Sequence, residues 1–342
     1  MKIEIVKEKY SNEIIQLFIE EYKNLNAFNY QDRSPNFFNL YKTFKSDKAT
    51  YIIGRDHSGT LVFCYGLIPY QTQVGYKLPI MYGSDLYIHP NLRNTKNAWK
   101  YVKASVPYFI QALGNNLLWM VEQTPGILTA LEKIINASNL NFKYIGITIA
   151  KEIYLKELNT NISNSKFLNI DQLLTSFSED NILSFINSEM REFVPCLGVE
   201  SLKCISSLSN KSFYYVYEEN GQIKGILILA DLEKARKLIY TGKFSPLLNH
   251  IKSGQTIKYA ICDIFGKIDL NINDIVGFSK KSNYDVLNIR DSSIDYTQID
   301  PKYILNYSRR VCILHQSELS YWSDCFNSFE KGMRMKLHSL FL

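Results

Sequence analysis

The 342-residue chain contains no apolar run of membrane-spanning length, so no segment is predicted to cross a bilayer. It opens Met1-Lys2-Ile3-Glu4-Ile5-Val6-Lys7-Glu8, with charges where a secretory leader needs an apolar stretch. Its six cysteines, Cys64, Cys196, Cys204, Cys262, Cys312 and Cys325, never fall into CxxC spacing, and His250, His315 and His338 lack ligand spacing as well. No metal site is therefore expected, and buried free thiols are. Clustered positive charge is also missing. The 39 Lys and Arg against 33 Asp and Glu give a net charge of +6, scattered along the chain. No basic stripe or motif marks a nucleic-acid partner, although mild basicity suits an anionic ligand. These absences predict a soluble, cytoplasmic protein in a reducing compartment, without membrane attachment. A protein exported without a cleaved leader fits the same pattern.

What the chain has in quantity is apolar and aromatic mass. Hydrophobic residues make up 46% of it, with 24 Tyr and 19 Phe, a balance that builds packed cores. The length predicts two domains. Residues 2–7 alternate as a strand, and Ile14, Ile15, Phe18, Ile19 and Tyr22 mark a helix capped at Ser11 or Asn12. A second helix is expected after Ser34-Pro35. Thr50–Arg55 and Thr60–Gly66 flank Asp56-His57-Ser58-Gly59 as a hairpin. A strand over about 78–89 leads to a helix over 95–113, which Pro107 should kink or end. Leu117–Val121 is a short strand, Leu128 to Ile135 a helix, and Phe142 to Tyr154 one or two strands. Asn159 to Ser165 reads as a linker. The second half repeats this plan weakly: helices in 168–208, a hairpin through Asn220-Gly221, then strands at 259–264, 284–289 and 310–314 around a helix near Ile272–Phe278. Tyr321, Trp322, Phe326 and Phe329 suggest a docking helix.

The informative stretch is Gly83-Ser84-Asp85-Leu86-Tyr87-Ile88-His89-Pro90-Asn91-Leu92-Arg93-Asn94-Thr95-Lys96-Asn97-Ala98. An apolar strand ends at a proline and enters a loop that opens a helix. Consecutive backbone N–H groups at a helix start, with the helix dipole behind them, favour an anion. This stretch resembles the donor-binding motif of the GCN5-related N-acetyltransferases, Gln/Arg-x-x-Gly-x-Gly/Ala. Arg93 matches its first position and Ala98 its last, while Lys96 departs at the central glycine. Lys96, Lys100 and Lys103 are candidates to pair with phosphate. The segment around Glu122, Ala130 and Asn141–Gly146 is similar to the next part of the family pattern, with Leu131 where a tyrosine often protonates the leaving thiolate.

The resemblance implies an α/β (α+β, mixed-sheet) fold with two acetyltransferase-like domains in tandem, each a mostly antiparallel sheet flanked by helices. The expected boundaries are 1–158 for the donor-binding domain and 166–342 for a second, degenerate one. It implies transfer of an acetyl group from acetyl-CoA, the acyl donor, to an amine: a small amine, an amino sugar or a peptide amine. The implied donor contacts are Tyr87, Ile88, Arg93, Asn94, Thr95, Lys96, Asn97 and Ala98. A backbone N–H near Tyr87-Ile88 would polarise the thioester. Glu122, Asp85 and Tyr144 are the candidate proton carriers. Each has a plainer alternative: a salt bridge for Glu122, a turn cap for Asp85, packing for Tyr144. His89 reads as solvent-facing. Two other functions stay open, a catalytically inactive module that binds coenzyme A or a protein, and an aminoacyl-transferring enzyme.

Overall fold

The computed structural model describes residues 2–7, 12–17, 29–32, 39, 49–74, 76–93, 96–121, 127–135, 138, 140–159, 165–189, 199–243, 245–289 and 294–316. The expected helix after Ser34-Pro35, the middle of the 159–165 linker and the C-terminal docking helix lie outside them.

The first half starts with β1 (Lys2–Lys7), a helix α1 seen over residues 12–17, and a short strand β2 (Asn29–Asp32). Then come β3 (Thr50–Arg55) and β4 (Leu61–Val74), joined by a turn in which Asp56 Oδ1 accepts the N–H groups of Ser58 and Thr60. β5 (Tyr76–Ile88) follows, and helix α2 (Lys96–Leu113) crosses over to β6 (Leu117–Val121). Pro107 neither ends α2 nor sits at its edge. Its missing N–H would have bonded the carbonyl of Lys103, and both residues are exposed, on the side of the helix where solvent is available to a carbonyl left without its helical partner. α3 (Ile127–Ile135) leads to β7, a single strand over Leu140–Tyr154.

The second half has helices α4 (Ile170–Ser176), α5 (Glu179–Glu189) and α6 (Val199–Leu208), then the hairpin β8 (Ser212–Glu219) and β9 (Gln222–Ala230). Asn220 and Gly221 turn that hairpin at φ 53° and 72°, the left-handed pair a tight two-residue turn requires. Next are β10 (Lys237–Tyr240), β11 (Thr256–Ile257), β12 (Tyr259–Gly266), helix α7 (Ile272–Lys281), β13 (Val286–Ile289) and β14 (Ile304–Gln316).

Each half builds a mostly antiparallel sheet, and the two sheets merge in the order β1-β3-β4-β5-β6-β14-β7-β13-β12-β9-β8. The parallel pairs are β5–β6, crossed over by α2, and β12–β13, crossed over by α7. The merger works by exchange. β14, from the second half, lies between β6 and β7 of the first. β7, from the first half, lies between β13 and β14. Their antiparallel pairing runs from Ile304↔Ile153 to Gln316↔Leu140, with one bulge at Val311/Cys312. A smaller sheet of the same kind joins β2 to β10 and β11.

Strand alternation sorts the core onto two faces. On one face, α2 and α3 cover Leu118, Met120, Cys312 and Leu314, while α7 covers Ile153, Cys262, Leu287 and Ile289. On the other, one continuous cluster runs from Ile14, Tyr51, Tyr87 and Trp119 to Leu173, Leu202, Tyr214 and Ile261. The halves thus share backbone pairing and apolar core.

Candidate functional site

A wedge in the first half of the sheet brings the sequence motif into three dimensions. β5 and β6 pair from Ile80↔Leu117 to Gly83↔Met120 and then part. β5 goes on to Ile88 while still paired with β4; β6 stops at Val121. The parting coincides with a bulge. Between Gly66↔Ser84 and Cys64↔Tyr87, two β5 residues, Asp85 and Leu86, oppose one residue of β4. Asp85 takes a left-handed φ of 54°, and its carboxylate accepts the Tyr51 hydroxyl at 2.9 Å. An extra residue bends and twists its strand, so this bulge turns β5 away from β6.

Gly83 stands at the last paired position. A Cβ there would lie 2.1 Å from Tyr65 Oη and 2.7 Å from Met120 Cγ. The Tyr65 hydroxyl donates to Met120 Sδ at 2.8 Å and so braces the closed end of the wedge. Burial pushes the Tyr65 pKa well above that of a free phenol, so it stays a neutral donor.

Beyond the bulge, backbone alternation sets which groups face the opening. The N–H of His89 donates to Val62 O on β4 at 2.9 Å. The backbone groups of Ile88 therefore turn to the opposite edge, the one β6 has left. The carbonyl of Ile88 accepts Arg93 Nε at 2.8 Å, and the Arg93 guanidinium sits 5.9 Å from the Tyr87 ring centroid. The structure thus brings Tyr87, Ile88 and Arg93 together at the wedge mouth. His89 is occupied as a cap: its Nδ1 accepts the N–H of Asn91 at the start of the short turn Pro90–Leu92.

The loop then enters α2. Asn94 and Thr95 lie outside the described residues. Lys96 and Asn97 are exposed, and Ala98 is buried under the first turn. That turn holds no acidic residue, and Lys96, Lys100 and Lys103, all exposed, form one stripe at i, i+4 and i+7. The matching place in the second half differs. There Asn271 and Asp274 close a capping box over the first turn of α7, so the N–H groups of these two residues are taken and a carboxylate stands beside the turn.

The candidate proton carriers are dispersed. Asp85 is in the bulge, engaged by Tyr51. Tyr144 is exposed on β7, edge-on to Phe142 and 5.0 Å beneath the Arg310 guanidinium. The register Gly83↔Met120, Met120↔Cys312, Cys312↔Tyr144 puts it three strands from β5, roughly 14 Å away. Glu122 lies outside the described residues. Leu131 packs into the core beneath α2 and α3 and has no proton to give. Sequence reasoning missed Tyr51, Tyr65 and Met120. Only Gly83 carried a signal, because a glycine inside a strand marks close approach. Among the described residues, no group of His, Cys, Asp and Glu could hold a metal ion, and no helix is long and apolar enough to cross a membrane.

No protein-family model and no curated protein sequence matches the chain. Solved structures do. N-myristoyltransferase of Saccharomyces cerevisiae with bound myristoyl-CoA superposes with a TM-score of 0.59 at 12% identity, over 92% of this chain and 82% of that one. The chain has a tandem acetyltransferase-like fold. A second structure of the yeast enzyme with myristoyl-CoA gives 0.58 at 13% identity, covering 92% and 79%. A conserved protein of unknown function from Enterococcus faecalis V583, described as a probable N-acyltransferase, gives 0.50 at 9% identity, covering 94% and 74%.

Proposed function

We propose that this chain is an N-acyltransferase that takes an acetyl group from coenzyme A and passes it to an amine. The observation that carries this reading is the wedge, where the bulge at Asp85 leaves the backbone edge of Ile88 facing an opening that leads to the start of α2. A pantetheine arm is an extended chain of amides, suited to a strand edge that β6 has left, where the Ile88 N–H faces the opening and Arg93 holds the Ile88 carbonyl. The pyrophosphate would meet the N-terminus of α2 and the lysine stripe of Lys96, Lys100 and Lys103. The capping box of α7, with Asp274 in its first turn, disfavours phosphate there, which supports a donor site in residues 1–158 and a supporting role for 166–342. The yeast neighbour, whose structure holds myristoyl-CoA, supports an acyl-CoA donor for this fold.

In the step itself the neutral amine attacks the thioester carbonyl carbon. The N–H of Ile88 would donate to the oxygen as charge develops on it. The C–S bond then breaks, the sulfur leaves as thiolate and takes a proton from an acid, and the nitrogen gives one proton to a base, so that the net products are amide and thiol. Glu122→Gln, Asp85→Asn and Tyr144→Phe, made singly and compared in kcat–pH profiles, separate the candidates for these transfers.

The test is the melting temperature with acetyl-CoA, with myristoyl-CoA, desulfo-CoA and ATP alongside. Ligand at about 100 times Kd stabilises by roughly 2.7 kcal/mol. With an unfolding entropy of about 2.1 cal/mol/K per residue, that is a rise of roughly 4 °C for a chain of this length. The rise should occur with CoA species and vanish in Arg93→Glu. No rise with any CoA species, in folded protein at millimolar ligand, refutes the reading. A rise without turnover on any amine favours the inactive module, for which Lys96 at the motif glycine and Leu131 already speak.

A further inference from the structure

A second polar constellation lies on the sheet face opposite α2 and α7. Glu152 of β7 accepts two tyrosine hydroxyls, Tyr259 of β12 at 2.7 Å on Oε1 and Tyr307 of β14 at 2.9 Å on Oε2. Beside it in register stands Asn288 of β13. Its chain neighbours Leu287 and Ile289 point into the core under α7, so Asn288 turns to the Glu152 face. Asn288 is only 4% exposed, and its Oδ1 has no hydrogen-bond partner. A buried amide oxygen without a donor is a costly feature that native structures seldom keep without reason.

The unfilled positions on Glu152 and on Asn288 Oδ1 are acceptors, and the amide nitrogen of Asn288 is a donor beside them. A carboxylate offers about four lone-pair positions, and the phenols fill one on each oxygen. Among the described residues no lysine or arginine pairs with Glu152. The complement of those acceptor positions, one of them an anionic carboxylate, is a cationic donor. A guanidinium fork prefers to span both oxygens of a free carboxylate, and here each oxygen already holds a phenol. A primary ammonium places three donors on one atom, and laterally paired side chains start about 5 Å apart, a gap that one nitrogen bridges.

The location suits an acceptor. β14 runs past the end of β6, pairing Val311 with Val121. Tyr307 lies four residues further along β14, about 13 Å beyond that end, in the direction the wedge opens. We infer that Glu152 and Asn288, with Tyr259 and Tyr307 holding the carboxylate, form a recognition site for a primary ammonium group carried by the acceptor. The word acceptor rests on the N-acyltransferase reading; the ammonium site itself does not.

Titration calorimetry of the full chain with hexylamine at pH 7.5, against hexanol, tests the site. Hexylamine should bind and hexanol should not, and Glu152→Gln and Asn288→Leu should each weaken hexylamine at least tenfold. The denaturation midpoint of Asn288→Leu should hold or rise, because the variant removes an orphaned polar group; a purely structural Asn288 would make it fall. Hexylamine heat that is absent in the wild type, unchanged in Asn288→Leu or matched by hexanol overturns the inference. Acyl-CoA binding, measured on the same samples, should be unchanged in both variants. Protein that binds acyl-CoA but not hexylamine refutes this site and leaves the transferase reading standing. Protein that binds hexylamine but no CoA species does the reverse.

Discussion

Gly83→Ala tests whether the closed end of the wedge is set by the Tyr65–Met120 brace. Gly83 does not adopt a positive φ, so alanine meets no backbone penalty there. The penalty is steric: a new methyl 2.1 Å from Tyr65 Oη and 2.7 Å from Met120 Cγ. Overpacking of this kind costs about 1–3 kcal/mol. Restricting the unfolded chain returns about 0.4–1 kcal/mol. The expected net loss is about 1–2 kcal/mol, or roughly 1.5–3 °C in Tm for a chain of this length. Tyr65→Phe removes the atom in closest conflict, leaving the ring carbon Cζ at 3.1 Å and a flexible methionine able to shift. Alone, Tyr65→Phe should cost about 1 kcal/mol through the lost hydrogen bond. Combined with Gly83→Ala it should cost less than the sum, with a coupling of about 1 kcal/mol. Urea denaturation of the four proteins measures this cycle, and acetyl-CoA binding reports on the wedge in parallel. Additivity within about 0.3 kcal/mol would show that the hydroxyl does not define the closure.

The remaining predictions concern the bulge, the strand exchange and a buried carboxylate. Asp85→Ala should lose about 1–2 kcal/mol from the Tyr51 bond and the left-handed φ, while Asp85→Asn, which tolerates that φ and keeps an acceptor, should lose less; denaturant midpoints decide. A 1–158 fragment lacks β14, so β6 and β7 have no strand between them, and it should show no cooperative unfolding until a peptide of residues 304–316 is supplied; a cooperative transition for the fragment alone would contradict the exchange. Asp231 has a raised pKa, mainly because it is buried, although it accepts the N–H groups of Glu233, Asn210 and Lys211. A folded-state pKa above the unfolded value gives stability that is complete below the unfolded pKa and lost as pH rises through the folded one. The stability of the wild type relative to Asp231→Asn should therefore be greatest at low pH and shrink on going to neutral pH, as read from urea midpoints across that range.

Local signals in the sequence specified local structure. Asp56-His57-Ser58-Gly59 and Asn220-Gly221 turn the two hairpins because their side chains and left-handed angles serve few other conformations. The short apolar run Leu117–Val121 and helical spacing at Ala98, Tyr101, Val102 and Ser105 placed a buried strand behind a crossover helix, and the stretch from Gly83 to Ala98 marked where the wedge leads into α2. Pro107 does not end α2, one of the two outcomes its sequence context allowed, since whether a missing hydrogen bond breaks a helix depends on whether water can serve the carbonyl left behind. Only the tertiary structure decided that β14 enters the first-half sheet, that β7 is shared by both halves, and that Asp85 sits at a left-handed bulge. The same holds for Glu152, whose tyrosine partners stand 107 and 155 residues away in the chain. The physical reason is one of range. Turn chemistry and periodicity act over a few residues, whereas strand neighbours are chosen by which edges remain to be paired and which faces remain to be buried, and no short stretch of sequence carries that information.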